Sequence, residues 1–112
     1  MSMIGYTQLM KDIFDVDKAS TEALLARLAV HKPSELRMKS LKALAQAGEE
    51  TISQVLKLAG ENNTGGTYKT VNAFFAGLVK ENILASERRG HREYWRFTEI
   101  AKDLQRYLLN AG

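Results

Sequence analysis

The segment TYKTVNAFFAGLVKENILASERRGHREYWRFTEIAKDL, residues 67–104, changes its hydrophobic period along its length. Apolar residues first recur at helical spacing, at Val71, Phe75, Leu78 and Val79. Beyond Asn82 apolar and polar residues alternate, which favours two β-strands, Ile83 to Arg89 and Arg92 to Phe97. Gly90 and His91 fit the tight turn between these strands. The segment therefore predicts a helix followed by a two-stranded β-hairpin.

Aromatic residues near the end of the hairpin indicate how it is held. Because side chains alternate across a strand, Trp95 and Phe97 share one face, and Tyr94 lies on the other. We expect Trp95 and Phe97 to anchor the hairpin to the helices, so that the arginine-rich tip projects outward. Thr98 is placed to begin a last helix. The residues of that helix expected to be buried are Ile100, Leu104, Tyr107 and Leu108.

The sequence before residue 67 predicts an amphipathic arm and two further helices. The arm contains two segments with helical periodicity, Tyr6 to about Phe14 and Glu22 to Val30, and Pro33 follows it. The next helix is expected to begin after Ser34 and end at Gly48. The one after it is expected to begin at a capping box of Thr51 and Gln54 and end at Gly60. The segment ENNTGG, residues 61–66, is expected to be a loop, with Thr67 capping the longer helix after it. We divide the chain into an arm, residues 1–32, and a domain, residues 33–112.

Length and composition exclude several classes of protein. With 112 residues, 45% of them hydrophobic, the chain suits one compact domain with an added arm. It contains no cysteine, which excludes disulfides, thiolate zinc sites and thiol redox switches. It contains no run of about 18 apolar residues and no basic start leading into an apolar stretch, so we expect a cytoplasmic protein with no membrane span.

The positive charge of the chain is concentrated in one region. Residues 67–97 contain six lysines and arginines and three glutamates, whereas the rest of the chain has ten bases and ten acids. A local excess of +3 on an otherwise balanced surface is typical of nucleic-acid binders, although a mixed solvated face would have a similar composition. We expect these bases to converge on a single concave surface that fits a double helix.

The sequence predicts no enzyme activity and no cofactor. The segment GENNTGGT, residues 60–67, resembles the phosphate-loop pattern GxxxxGK[ST], but Gly66 replaces the lysine and a helix precedes the segment. His31 and His91 lie near no nucleophile motif, and we expect His31 to end its helix, where a positive charge is favourable. The acidic residues are spread among bases at exposed helical positions. We therefore predict a binding protein with neither a metal site nor a cofactor.

The order of elements and the segment quoted above resemble the winged helix-turn-helix regulators of the MarR and ArsR type. The matching residues are Thr70, Val71, Phe75, Leu78, Asn82, Ile83, Leu84, Arg89, Gly90, Arg92, Trp95, Phe97 and Thr98. The similarity spans roughly Pro33 to Leu109 and consists of residue types. The chain departs from the family in the turn before the third helix, which is longer by about three residues. It also has Asn82 and Ala101 where glycine is frequent. The resemblance implies a mainly α fold with a β-hairpin wing.

The resemblance also implies how the protein binds double-stranded DNA. The recognition helix, about residues 67–81, would lie in the major groove, and the wing, residues 88–92, at the minor groove or the backbone. The residues implied are Thr67, Tyr68, Lys69, Thr70, Asn72 and Ala73 in the helix and Arg88, Arg89, Gly90, His91 and Arg92 in the wing. Asn72 can read adenine by paired hydrogen bonds, while Tyr68 and Thr70 are suited to phosphates. The alternative for the helix residues is an ordinary exposed helix face. The alternative for Trp95 and Phe97 is an aromatic platform on which single-stranded bases stack.

The arm allows two interpretations, and the fold allows three functions. The arm either completes the core of the monomer or forms a homodimer, alone or with the last helix. A dimer would match a symmetric operator and act as a repressor. The other two functions are a plasmid or phage partition-type adaptor that coats repeated sites, and a winged-helix module that binds proteins. The sequence identifies no small-molecule effector and no operator.

Overall fold

The computed structural model describes residues 21–110. Helix α1 (21–30) is followed by α2 (Glu35–Ala47), strand β1 (Glu49–Glu50), α3 (Ile52–Leu58) and α4 (Gly65–Lys80). A hairpin of β2 (Leu84–Arg89) and β3 (Arg92–Phe97) leads through a 3-10 turn (Glu99–Ala101) into α5 (Lys102–Asn110). This order confirms the expected mainly α, winged helix-turn-helix architecture, in which α3 and α4 form the helix-turn-helix. The expected helix from Tyr6 to Phe14 lies outside the described residues.

Local signals in the sequence set most of the helix ends. Ser34 and Thr51 cap α2 and α3 as predicted, since their hydroxyl oxygens accept the backbone N–H groups of Arg37 and Gln54 at 3.4 and 3.3 Å. Gly48 and Asn82 end α2 and α4 with positive φ angles of 88° and 60°. A positive φ favours glycine and is tolerated by asparagine. These caps satisfy backbone groups that a helix leaves unpaired at its ends.

The core lies between the helices and the inner face of the hairpin. Trp95 and Phe97 are buried there as predicted, and the ring of Trp95 meets that of Phe75 edge-on with centroids 5.6 Å apart. Leu24 and Leu28 of α1 are also buried in this core, so the described part of the arm contributes to the packing of the monomer. None of the helices within residues 21–110 has the length and apolar character needed to cross a membrane.

The sheet has three strands, whereas the sequence predicted two. β1 pairs antiparallel with β3, placing Glu49 opposite Arg96 and Glu50 opposite Trp95, and the strand order is β1-β3-β2. The two glutamates lie between the end of α2 and the cap of α3, and a strand this short shows no alternation that sequence analysis could detect. Pairing with β3 is a tertiary contact, and it brings two acidic residues to the base of the wing.

The start of α4 also differs from the prediction. The helix begins at Gly65 rather than near Thr67, because Thr64 is the N-cap and its hydroxyl oxygen accepts the backbone N–H of Thr67 at 3.3 Å. The two glycines in the segment 61–66 favoured a loop, but the threonine before them supplies a stronger start signal. The helix therefore contains Gly65 and Gly66, so two residues of its first turn carry no side chain.

The last helix buries a narrower stripe than predicted. Ala101, Leu104 and Leu108 are buried, but Ile100 and Tyr107 are 62% and 50% exposed. Residues 100 and 107 lie on the same flank of that stripe, because seven residues are close to two helical turns. The hydroxyl of Thr98 caps no backbone N–H at the start of the turn and donates instead to the carbonyl of Asn82 at 2.6 Å. Thr98 thus ties the end of the wing to the end of α4.

The end of α1 contacts α4 where glycine leaves space. A Cβ atom on Gly77 would lie 3.0 Å from Cε1 of His31, and the His31 ring meets that of Phe74 edge-on with centroids 6.5 Å apart. As expected, His31 follows directly after the last residue of its helix. Arg27 donates to the backbone carbonyl of Glu81 at 3.4 Å. These contacts join the arm to the C-terminal end of α4.

We expect Gly77→Ala to give little or no stabilisation, although this change ordinarily stabilises a helix interior by about 1 kcal/mol. The new methyl group would crowd the His31 ring, which would have to shift by a few tenths of an ångström from its position against Phe74. In a His31→Ala background the same substitution should recover about 1 kcal/mol. Urea denaturation of the four proteins measures this difference, and an equal effect of Gly77→Ala in both backgrounds would contradict the expected contact.

Candidate nucleic-acid interface

One face of α4 is exposed along the first half of the helix. Val71, Phe75 and Leu78 are buried, which fixes the orientation of the helix about its axis. The residues predicted to meet DNA are then exposed at Tyr68, Lys69, Asn72 and Ala73 and half-buried at Thr67 and Thr70. Asn72 and Ala73 each lie four residues after Tyr68 and Lys69, respectively, so the four share one side of the helix. The structure therefore presents Asn72 beside Lys69 on a surface that residues 21–110 leave exposed.

The long turn before α4 is tied to its surroundings by side chains. The amide of Asn63 donates to the hydroxyl of Ser53 at 3.0 Å, and Lys39 forms an ion pair with Glu61 at 3.0 Å. Gly60 adopts a positive φ of 75° two residues after the end of α3. The first contact joins the turn to α3 and the second joins it to α2. The turn between α3 and α4 therefore has side-chain contacts with both preceding helices.

A groove of about 470 Å³ lies between α3, the start of α4 and the tip of the wing. Its lining residues are Thr51, Ser53, Gln54, Lys57, Tyr68, His91, Arg92 and Glu93. The structure thus brings Tyr68 of α4 together with His91 and Arg92 of the wing. Hydroxyl, amide and cationic groups dominate the lining, and such groups suit an anionic backbone.

Sequence reasoning missed the contribution of α3 to this groove. Ser53, Gln54 and Lys57 occupy the polar positions of α3, between the buried residues Ile52, Val55 and Leu56. The helical periodicity that predicts the buried residues of α3 also predicts that these three polar residues point away from the core. It does not show that this polar side of α3 faces the tip of the wing.

The two faces of the hairpin have different chemistry. Strand pairing places Leu84, Trp95 and Phe97 on the inner face, and Glu87, Tyr94 and Arg96 on the outer face together with Arg89. The inner face joins the core. The outer face is a polar network that the third strand completes with Glu49.

Arg89 is the centre of this outer network. Its Nη2 atom lies 2.9 Å from Oε1 of Glu49, its Nε atom donates to Glu87, and its guanidinium carbon lies 4.8 Å from the centroid of the Tyr94 ring. Arg96 also pairs with Glu49, with 3.6 Å between Nη1 and Oε2. Hydrogen bonds to Glu87 and Glu49 raise the pKa of the Arg89 guanidinium. The hydrogen bond and charge of Arg89 lower the pKa of the Glu87 carboxyl.

The basic residues therefore form two groups, so their expected convergence on one surface is incomplete. The described part of the chain shows no ion pair for Lys57, Lys69, Arg88 or Arg92. Arg89 and Arg96 are instead neutralised on the outer face of the wing by Glu49 and Glu87. Strand alternation separates Arg89 and Arg96 from Arg88, which lies on the other face of the hairpin. Arg92 lies opposite Arg89 in the hairpin, and it differs from Arg89 and Arg96 in having no ion pair within residues 21–110.

Comparisons with known proteins identify the fold. No family model and no curated protein sequence matches this chain. A homodimeric winged helix-turn-helix DNA-binding domain of Mycobacterium bovis, a possible ArsR-family regulator, is 24% identical over 84% of this chain and 80% of that one, with a TM-score of 0.56. Reduced AbfR bound to DNA is 13% identical over 98% and 81%, with a TM-score of 0.55. A MarR family regulator of Silicibacter pomeroyi is 10% identical over 92% and 71%, with a TM-score of 0.54. The chain is thus similar in fold to winged helix-turn-helix transcriptional regulators.

Proposed function

We propose that this chain is a cytoplasmic, homodimeric regulator that binds double-stranded DNA in a sequence-specific manner and represses transcription by occluding a promoter. The observation that carries the proposal is the groove shared by α3, α4 and the wing tip, beside the exposed polar face of α4. The similar domain of Mycobacterium bovis is described as homodimeric and DNA-binding, and AbfR was solved bound to DNA. The chain acts by binding rather than by catalysis.

In the proposed complex α4 enters the major groove with its N-terminal half. Asn72 reads an adenine, while Tyr68, Lys69 and Thr70 hold the helix against the phosphates. Thr67 and Ala73 lie at the same start of the helix and complete this contact surface. The arginines of the wing, with Gly90 and His91 at its turn, approach the minor groove or the backbone. Lys57 adds a phosphate contact from α3.

Random duplex selection followed by a binding assay tests the proposal. We expect enrichment of a symmetric sequence whose half-sites lie about 34 Å apart, one helical turn of DNA. Binding should weaken steeply as salt is raised, because phosphate contacts release counterions. Failure to enrich any sequence, together with no binding at about 50 mM salt, would refute the proposed function.

Arg92→Ala should weaken binding on every sequence by about five- to tenfold near 0.1 M salt, and lower the salt slope by about one. Arg92 lines the groove and makes no ion pair within the described residues. Fluorescence anisotropy at several salt concentrations measures both quantities. Lys102→Ala, an exposed base of α5, is the control and should leave the slope unchanged. An unchanged slope for Arg92→Ala would place this side chain away from DNA.

The proposed dimer uses the exposed apolar flank that the 3-10 turn and α5 form together. Ile100 and Tyr107 lie on this flank, and Ile100 lines a groove of about 210 Å³ with Leu24 and Arg27 of α1. We expect the double substitution Ile100→Glu and Tyr107→Glu to give a folded monomer, since both side chains are at least half exposed. Sedimentation velocity measures the mass, and Lys102→Glu is the control on the same helix. A dimer that persists in the double variant would exclude this flank as the interface.

A further inference from the structure

The outer face of the wing holds two arginines that carboxylates neutralise within the protein. Glu49 contacts both of these arginines, and Glu87 contacts Arg89 alone. Arg92, which pairs with Arg89 across the hairpin, makes no ion pair within residues 21–110. Two arginines adjacent to the same turn therefore differ in their availability to an external anion.

The two carboxylates reach Arg89 by different routes. Glu87 lies two residues before Arg89 on the same face of β2, so their pair follows from the extended strand alone. Glu49 belongs to β1 and contacts the wing because β1 pairs with β3 in the register Glu49 to Arg96. Its carboxylate bridges the two arginines, with one oxygen 2.9 Å from Arg89 and the other 3.6 Å from Arg96. Of the two, Glu49 is therefore the contact that requires the folded sheet.

We propose that Glu49 is a positioning residue that restrains Arg89 and thereby limits sequence-independent binding to DNA. This inference rests on the proposed function and deepens it. Sequence-independent affinity grows with the number of phosphates that cationic side chains neutralise. Arg89 adds little while its hydrogen-bond donors point at Glu49 and Glu87, because a phosphate must compete with two carboxylates. The base contacts of α4 do not depend on this network.

The exposure of the network sets the size of the effect. The side chains of Arg89 and Glu49 are 47% and 31% exposed, so water and salt screen their interaction. Glu49 therefore restrains Arg89 only in part, and removing the charge of Glu49 should release this restraint. Loss of Glu49 frees Arg89 on its Nη2 side for about one additional phosphate contact.

Glu49→Gln keeps the size of the side chain and the strand while removing its charge. We expect this variant to bind an arbitrary duplex of about 30 base pairs five- to tenfold more tightly than the unaltered protein near 0.1 M salt. The salt slope should become steeper by about one. Glu50→Gln is the matched control, since it removes the same charge from the neighbouring residue of β1, for which the described residues show no ion pair. The control should change affinity less than about twofold.

A second pair of proteins shows whether Arg89 mediates the effect. Arg89→Ala should cancel the gain of Glu49→Gln, and in the unaltered background it should weaken binding less than Arg92→Ala does. Glu49→Asp, which keeps the charge but shortens its reach, should give an intermediate gain and serves if the glutamine variant does not fold, as judged by circular dichroism. A gain that survives Arg89→Ala, or no gain in the folded variants, overturns the proposal. An unaltered protein that binds no DNA would instead refute the proposed function.

Discussion

Trp95→Ala should lower the free energy of unfolding by about 3 to 5 kcal/mol, the largest effect expected from any single substitution considered for this protein. The indole is 3% exposed and meets the ring of Phe75 edge-on. Its removal leaves a cavity between α4 and the hairpin, and rigid surroundings fill such a cavity only in part. Because small domains have a total stability of about 5 to 15 kcal/mol, this loss is a large share of the whole.

Urea denaturation followed by circular dichroism measures this effect, with Tyr94→Ala as the control. Tyr94 is the preceding aromatic residue of the same strand, but it is half-buried on the outer face, where it stacks on Arg89. We expect its substitution to cost about 1 kcal/mol or less. Similar losses for the two substitutions would mean that Trp95 does not anchor the wing to α4.

Asn72→Ala should change which duplex the protein prefers, with a loss of about 1 to 3 kcal/mol confined to one base pair of each half-site. The amide of asparagine can donate to and accept from an adenine edge at once, and alanine can do neither. Asn72 is exposed on the face of α4 that also presents Lys69. Replacing its side chain leaves the core intact, so α4 should keep its position.

Repeating the duplex selection with the variant tests this role, and Lys69→Ala is the matched control on the same face. The lysine variant should weaken binding to all duplexes alike and reduce the salt slope by about one, without altering the preferred sequence. If Asn72→Ala also weakened all duplexes equally, its side chain would be contacting the backbone rather than a base.

Helical periodicity and end signals predicted most of the fold because they depend on neighbours along the chain. The caps at Ser34 and Thr51, the end of α4 at Asn82 and the bounds of β3 agree with the sequence analysis. The start of α4 was mispredicted because two local signals competed there. The glycines at residues 65 and 66 favoured a loop, but Thr64 caps the helix and α4 begins at Gly65. The exposure of Ile100 and Tyr107 shows a further limit, because periodicity identifies a stripe but not its width.

The candidate site could be predicted only in its exposed helical part. The buried stripe of α4 fixed by elimination which residues face outward, and Tyr68, Lys69, Asn72 and Ala73 are exposed as this pattern required. The groove could not be predicted, since Lys57 and Arg92 are distant in sequence and meet only when α3 packs near the wing tip. A charge count over residues 67–97 likewise omitted Glu49, which the fold adds to the same region.

The sequence by itself determined the helices, the hairpin and the excess of basic residues, because each follows from spacing, capping and composition within a short segment. The tertiary structure decided which of those bases remain available. A two-residue strand carries too little pattern to be found alone, yet its pairing with β3 places Glu49 against Arg89 and Arg96. Ion pairs depend on distances in space, so the packing of the sheet decides which basic side chains of this protein remain unpaired.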